Sequence, residues 1–300
     1  MRRLTWIALG TAFVMVGSAV ALAQQQFVFF ASVADASGAP VGSLAPDDVK
    51  IVENGAEGKV VKIEPIDWPI RLQILVDNGT GMGEALVQMR NGLKGLVMAI
   101  PEGIEMSLIT TAPQPRNIVK PTTDRQAIIQ GIDRITPDTS AARFVEALNE
   151  AAARVDKDKG NYFPVIVILG STTAEGSQVL ERDVQRMRQR FVDRAATVHV
   201  IMVNLGARSE SSFSGANQTN IGIAVTKDTG GRYEAIAAST RIATLLPEIG
   251  EQVAKSHARQ SHQFRITFQR PGGASGAVGE IGMSSRPGTT PTLTINGRMP

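Results

Sequence analysis

The sequence predicts an α/β fold: a doubly wound, mostly parallel sheet with helices on both faces, joined to a small β-sandwich module made from the two ends of the chain. Three observations carry this. From Leu72 onward, apolar runs of about five residues alternate with longer segments of helical period, as in a parallel sheet covered by helices. Leu72 to Val76, Pro164 to Leu169 and Thr197 to Val203 are near-continuous apolar runs, which strands buried on both faces require. The flanking segments instead carry short β-prone runs broken by turn residues.

Taken in order, residues 1–23 read as a secretory leader. Arg2 and Arg3 form a basic start, Leu4 to Val20 is apolar, and Ala21-Leu22-Ala23 is an A-x-A cleavage site before Gln24. Cleavage there is expected, with retention as an anchor the alternative, because the apolar run exceeds the usual length of about 7–15 residues. Residues 24–69 are a β module with runs at Phe27 to Val33, Val49 to Val52 and Lys59 to Ile63, separated by Asp35-Ala36-Ser37-Gly38 and Asn54-Gly55. Pro65 and Pro69 bracket Trp68 and predict a stiff joint, since proline fixes φ and cannot donate to a ladder. Residues 70–256 are the α/β domain. Ile104 to Thr110 and Arg116 to Lys120 are weaker strands toward one edge, and four amphipathic helices cover Glu84 to Ile100, Asp124 to Ile135, Arg143 to Val155 and Gln178 to Arg194. Thr229-Gly230-Gly231-Arg232 ends a short helix and turns into a strand at Tyr233, and Thr240 to Lys255 is the last helix. Residues 257–300, with Phe264 to Phe268 and Thr290 to Ile295 as strands, complete the β module, because the N-terminal runs alone are too few to bury a core.

Composition narrows the function. The 300 residues are 43% hydrophobic and 20% charged, enough for real cores. Lys and Arg number 31 against 28 Asp and Glu; without Arg2 and Arg3 the balance is 29 against 28, or +1. That near-neutral balance, with no dense basic run, leaves no footprint for nucleic acid. The arginines between Arg182 and Arg194 interleave with Glu181, Asp183 and Asp193 and read as a solvated helix face. There is no cysteine, hence no disulfide framework and no thiolate chemistry. No segment after the leader is long enough to span a membrane, so an exported protein, periplasmic or extracellular, is expected.

The candidate site lies where Leu75-Val76-Asp77-Asn78-Gly79-Thr80-Gly81-Met82 closes a buried strand and opens a helix, the place where open α/β sheets bind ligands. Several features accompany it: the Asp35-x-x-Gly38-x-Pro40-Val41 turn, Asp47-Asp48-Val49, and Thr229-Gly230-Gly231-x-Tyr233. In this order they resemble the von Willebrand factor A-type family, in the form found in exported bacterial proteins with a β module before the A domain. The resemblance covers nearly the whole chain after the leader. It implies a Rossmann-like α/β fold, a non-enzymatic protein-binding role, and a metal-ion-dependent adhesion site of the pattern D-x-S-x-S, a Thr heading a later helix, and an Asp after a later strand. Such hard oxygen ligands suit Mg²⁺ with an open position for a partner's carboxylate.

Here that pattern is degenerate. Asp77 matches the first acid, but glycines stand at both serine positions, Gly79 and Gly81, and Ser171 stands where the later Asp belongs. The Thr position falls at Ala142 if Ala147-Leu148 is aligned, with Thr139 or Ser140 able to fill it if the loop differs. No metal and no cofactor are therefore expected, Asp77 being the one candidate ligand and Mg²⁺ the one candidate ion. Asp77 reads instead as an acceptor for N–H groups of the Gly79 to Gly83 turn and as a cap for the following helix. Asp77, Asn78, Gly79, Thr80, Gly81, Thr139, Ser140, Ser171 and Thr172, with Thr173 beside them, make a polar rim that would bind a protein partner without metal.

Rival readings have less support. Gly79, Gly81 and Gly83 are spaced G-x-G-x-G, not the G-x-G-x-x-G of a dinucleotide loop, and Asp77 would repel a pyrophosphate. No G-x-S-x-G, H-E-x-x-H or paired histidines at i, i+4 point to a hydrolase. His199 sits in a strand and reads as packed; His257 and His262 read as cations at a helix C-terminus; Asp156, Asp158 and Glu175 read as solvated loop acids. A structural or assembly subunit acting through the edge strands of the β module is the remaining alternative.

Overall fold

The computed structural model of the protein describes residues 26–172, 175–204, 212–273, 277–294 and 297. The leader at 1–23 and Thr173 lie outside them. In chain order the elements are β1 (Gln26–Asp35), β2 (Val49–Glu53), β3 (Ala56–Ile66), β4 (Ile70–Val76), α1 (Leu86–Ala99), β5 (Glu105–Thr110), β6 (Arg116–Thr122), α2 (Arg125–Asp133), α3 (Phe144–Lys157), β7 (Phe163–Ser171), α4 (Glu181–Asp193), β8 (Thr197–Val203), α5 (Ser212–Thr229), β9 (Tyr233–Ile236), α6 (Ile242–Gln260), β10 (Gln263–Gln269), β11 (Ile281–Ser285) and β12 (Thr289–Thr294).

The α/β domain is built on a six-stranded sheet in the order β6-β5-β4-β7-β8-β9, parallel throughout except for β6, which runs antiparallel at one edge. Every residue of β7 is buried, the burial its unbroken apolar run predicts for a central strand. One face carries a core that joins Leu72, Ile74 and Val76 of β4 to α1, α2 and α6; the other joins Leu75, Ile166 and Ile168 to α3, α4 and α5. Close approach of α1 and α6 depends on glycine. A Cβ on Gly92 would lie 2.5 Å from the Ile242 carbonyl oxygen, and one on Gly95 2.5 Å from Pro247 Cγ.

The two ends of the chain form one antiparallel sheet in the order β11-β2-β3-β10-β1-β12, wrapped around its own core of Phe29, Val33, Ile51, Phe264, Ile266 and Phe268. β10 lies between β1 and β3, so the C-terminal segment supplies the strand that joins the N-terminal ones. The period-2 alternation of β1 points Phe29, Ala31 and Val33 into this core and Phe30 the other way. Phe30 meets Trp68, which meets Phe163 of β7, at ring-centroid separations of 5.8 and 5.6 Å, and this aromatic chain couples the two sheets.

Three sequence expectations change. β3 runs through Pro65 to Ile66 before the break at residues 67–69, because at Pro65 it pairs with β10 on one side and a proline is tolerated on the other flank. The helix before Thr229 is long, 18 residues from Ser212, and its polar start hid it from periodicity. β11 was unforeseen: Ile-Gly-Met-Ser-Ser has only two large apolar residues, and its pairing with β2 decides its conformation.

Candidate functional site

In the order β6-β5-β4-β7-β8-β9 the chain winds outward from β4 to one side, then returns to β7 and winds to the other. The loops leaving β4 and β7 therefore diverge, and the crevice between them is where a doubly wound sheet presents its site. Asp77 follows β4, and Ser171 ends β7. Asp77 N–H donates to the Leu169 carbonyl at 2.8 Å, continuing the ladder one residue beyond the strand.

The Asp77 side chain turns inward, 3% exposed. Its Oδ1 accepts from Gly79 N–H at 2.7 Å, and its Oδ2 accepts from Ser171 N–H at 3.0 Å and Ser171 Oγ at 2.6 Å. Burial raises its pKa above the ordinary carboxylate value; the Ser171 and Gly79 hydrogen bonds oppose this, and the nearby charge of Glu175 adds to it. The carboxylate thus ties the two loops together across the switch point. It does not cap the next helix. A 3₁₀ turn at Met82–Ala85 intervenes, and α1 starts from Ala85 without a side-chain cap.

A second loop, 136–142, closes over the first. Asn78 donates from Nδ2 to the Thr136 carbonyl at 3.0 Å and accepts at Oδ1 from Ala112 N–H at 3.1 Å. Thr80 N–H donates to the Ser140 carbonyl at 3.0 Å, and Thr80 Oγ1 to the Thr139 carbonyl at 2.7 Å. Ser140 N–H is held by Asp138 Oδ1 at 2.8 Å. A Cβ on Gly79 would sit 2.8 Å from the Ser140 oxygen and 2.9 Å from Ala142 N, so the position has no room for a side chain. Gly81 has φ +94°, a left-handed conformation that glycine adopts without strain. Thr172 N–H bonds to the Val203 carbonyl at 3.0 Å, binding the β7 loop to β8. Asp77, Asn78, Gly79, Thr80, Gly81, Thr139, Ser140, Ser171 and Thr172 are thus brought to one end of the sheet, with Thr80, Gly81 and Thr139 exposed and Asp77, Asn78, Gly79 and Ser171 buried.

Glu175 is not a solvated loop acid. It accepts from Phe144 N–H at 3.1 Å, from Ser177 N–H at 2.8 Å and from Gln218 Nε2, capping the start of α3 from a distant loop and tying it to α5. Standing 31 residues from the α3 start it caps, Glu175 leaves no local capping pattern in the sequence. Asp156 and Asp158 are also engaged, with Lys159 and Arg71 respectively.

The Thr229-Gly230-Gly231 turn is structural. Thr229 Oγ1 donates to Val225 O at 2.7 Å and accepts from Val198 N–H at 3.1 Å; Gly230 takes φ +64°; and a Cβ on Gly231 would lie 1.8 Å from the Val198 oxygen. His199 is packed beneath it, its Nδ1 accepting from Arg232 N–H at 3.1 Å, and burial with the Arg232 charge lowers its pKa to about 4. His257 is partly buried, which lowers its pKa and opposes the cationic role expected of it.

Divalent-ion chemistry fits these residues poorly. Both Asp77 oxygens already accept internal hydrogen bonds, Ser171 Oγ donates to Asp77, and neither glycine supplies a ligand. Mg²⁺ needs near-octahedral oxygens, and Glu175, the carboxylate whose charge reaches Asp77, is committed to Phe144, Ser177 and Gln218. Among the described residues no three His, Asp or Glu side chains gather into a metal-binding group, and no helix is long and apolar enough to cross a membrane.

Residues 72–175 match the von Willebrand factor type A domain. Among solved structures, the von Willebrand factor type A protein from Catenulispora acidiphila matches 91% of this chain and 74% of its own at 10% identity and a TM-score of 0.51. The pilus adhesin SpaC from Lactobacillus rhamnosus GG matches 72% of this chain and 36% of its own, at 10% identity and a TM-score of 0.50. BatB from Bacteroides thetaiotaomicron matches 62% of this chain and all of its own, at 15% identity and a TM-score of 0.48. No curated protein sequence matches at a significant level. The match spans residues 72–175, from β4 to the loop after β7, and with this strand order and these switch-point loops the α/β domain has a von Willebrand factor A-like fold.

Proposed function

We propose that this chain is an exported, non-enzymatic protein-binding module that grips its partner at the β4 and β7 end of the sheet without a divalent metal. The observation that carries the reading is the state of Asp77: buried, with three internal donors on its two oxygens, it is a strut under the surface. A partner then meets the exposed rim of Thr80, Gly81 and Thr139, with Thr172 alongside. The likeness in fold to SpaC, a pilus adhesin, is in keeping with a binding role. Affinity capture from the exported fraction tests this, with the chain as bait in chelator and in Mg²⁺. A prey protein retained equally in both, and lost from the Thr139→Arg bait, supports the reading; a prey that requires Mg²⁺, or ignores Thr139→Arg, overturns it.

A second reading places the interface on the β module. Among the described residues β11 and β12 end the strand order, each pairing on one flank, and such edges accept an added strand. A prey lost on Met283→Pro in β11 but kept by Thr139→Arg would favour it.

A further inference from the structure

A cavity lies at the opposite end of the parallel sheet from Asp77, where the β module meets the α/β domain. It measures about 570 Å³ and is walled by Phe30, Trp68, Tyr162 and Phe163, with Lys159 and Arg194 at its margin. Phe30 and Trp68 meet edge to face at 70°, and Trp68 and Phe163 at 40°, so ring faces as well as edges line the space. A volume of this size is within the range of about 300–1,000 Å³ typical of small-ligand sites, which favour domain junctions.

The polar groups have one bias. Arg194 is anchored by Nη2 to the Asp158 carbonyl at 2.7 Å, and its guanidinium lies 5.9 Å from the centre of the Tyr162 ring. Lys159 bonds Asp156 at 3.1 Å while its side chain stays 70% exposed, leaving donors for a further acceptor. Of the neighbouring acids, Asp158 pairs with Arg71, whereas Asp193, which also lines the cavity, accepts from the neutral Gln189 Nε2 at 2.7 Å and keeps its charge, so the two cations face one uncompensated carboxylate. Aromatic walls with a cationic margin suit a ligand that is apolar at one end and anionic at the other.

We propose that this junction cavity binds an aromatic carboxylate, its ring against Trp68 and Phe163 and its carboxylate toward Lys159 and Arg194. That chemistry has two sources: a free aromatic acid, or the C-terminal residue of a polypeptide. The site is separate from the rim at Asp77, and neither proposal depends on the other.

Trp68 is one of two tryptophans, the other being Trp6, so the full chain carrying Trp6→Phe reports on this cavity through a single fluorophore. The probes are 3-phenylpropionate, its amide, and Gly-Gly-Gly-Phe with a free or amidated C-terminus. Saturable change of Trp68 emission with the acids, weakened about tenfold or more in the amides, is the expected result. Tighter binding of the small acid assigns the site to a free acid, and tighter binding of the peptide assigns it to a polypeptide end. Lys159→Gln and Asn161→Trp, both at exposed positions, should weaken binding while circular dichroism stays unchanged. Failure of both acids to saturate, equal binding of acids and amides, or indifference to both variants overturns the proposal.

Discussion

Gly79→Ala is the substitution that most directly tests the closed state of the switch-point site. The new methyl would meet the Ser140 oxygen at 2.8 Å and Ala142 N at 2.9 Å, closer than side-chain carbons approach such atoms, and Asp77 Oδ1 at a tight 3.2 Å. The first two are backbone atoms of a loop pinned by Thr80 N–H to Ser140 O, Gly176 N–H to Ala142 O and Arg143 N–H to Thr111 O, so the loop cannot yield without losing hydrogen bonds. Overpacking of this kind costs about 1–3 kcal/mol. Losing the Thr80 bond adds about 1 kcal/mol, and the stiffer unfolded chain offsets about 0.4–1 kcal/mol. A net destabilisation of about 1–4 kcal/mol is expected. Gly81→Ala, at φ +94°, should cost about 1–2 kcal/mol from left-handed strain alone. Gly83→Ala, whose nearest neighbour is Pro137 at 3.8 Å, should be neutral or stabilise by up to about 1 kcal/mol. Urea unfolding followed by far-UV circular dichroism ranks the three. If Gly79→Ala is as stable as wild type, the loop is not clamped over Asp77, and the argument that a serine ligand cannot be accommodated there fails.

Calorimetry with Mg²⁺, Mn²⁺ and Ca²⁺ should show no site at physiological concentrations, and a chelator should leave the melting temperature unchanged, since only a ligand of the folded state shifts it. Asp77→Ala should cost about 1–2 kcal/mol by stranding the Gly79 and Ser171 donors; Mg²⁺ saturation abolished by this variant would restore a metal-dependent site. His199, with a pKa of about 4, stays neutral in the fold while the unfolded chain takes up a proton below about 6.5. Its contribution is therefore present above pH 6.5 and lost as pH falls toward 4, about 3 kcal/mol in all; His199→Gln should lack this part of the pH dependence in urea titrations at pH 7 and 4.5. Deleting residues 263–300 removes the strand between β1 and β3 and should abolish hydrogen-exchange protection in β1–β3, whereas persisting protection would show that the N-terminal strands fold alone.

Much of the candidate site was legible as position. Asp77 and Ser171 fall at strand ends that the apolar runs of β4 and β7 mark out, and the order of elements places those ends together; Thr80 lies in the turn after Asp77, and Thr139 in the loop before α3. The partners were not legible. Ser171 reads as a rim hydroxyl in the sequence, yet it bonds a carboxylate 94 residues away; Glu175 reads as a loop acid, yet it caps α3. Both facts depend on a crossover that brings distant loops within 3 Å, and no local pattern encodes that distance.

The same division runs through the whole protein. Buried strands and amphipathic helices announce themselves, because burying one or both faces of an element imposes a period on its own residues, as in β7, β8 and α3. β11, with little apolar content, and β3, running through Pro65, are decided by the strands they pair with, as are the glycines that let α1 meet α6 and the loop over Gly79. The sequence alone determined which segments bury apolar surface and in what order. Only the tertiary structure decided which distant backbone groups and side chains meet, because hydrogen bonding and close packing act across space and leave no period along the chain.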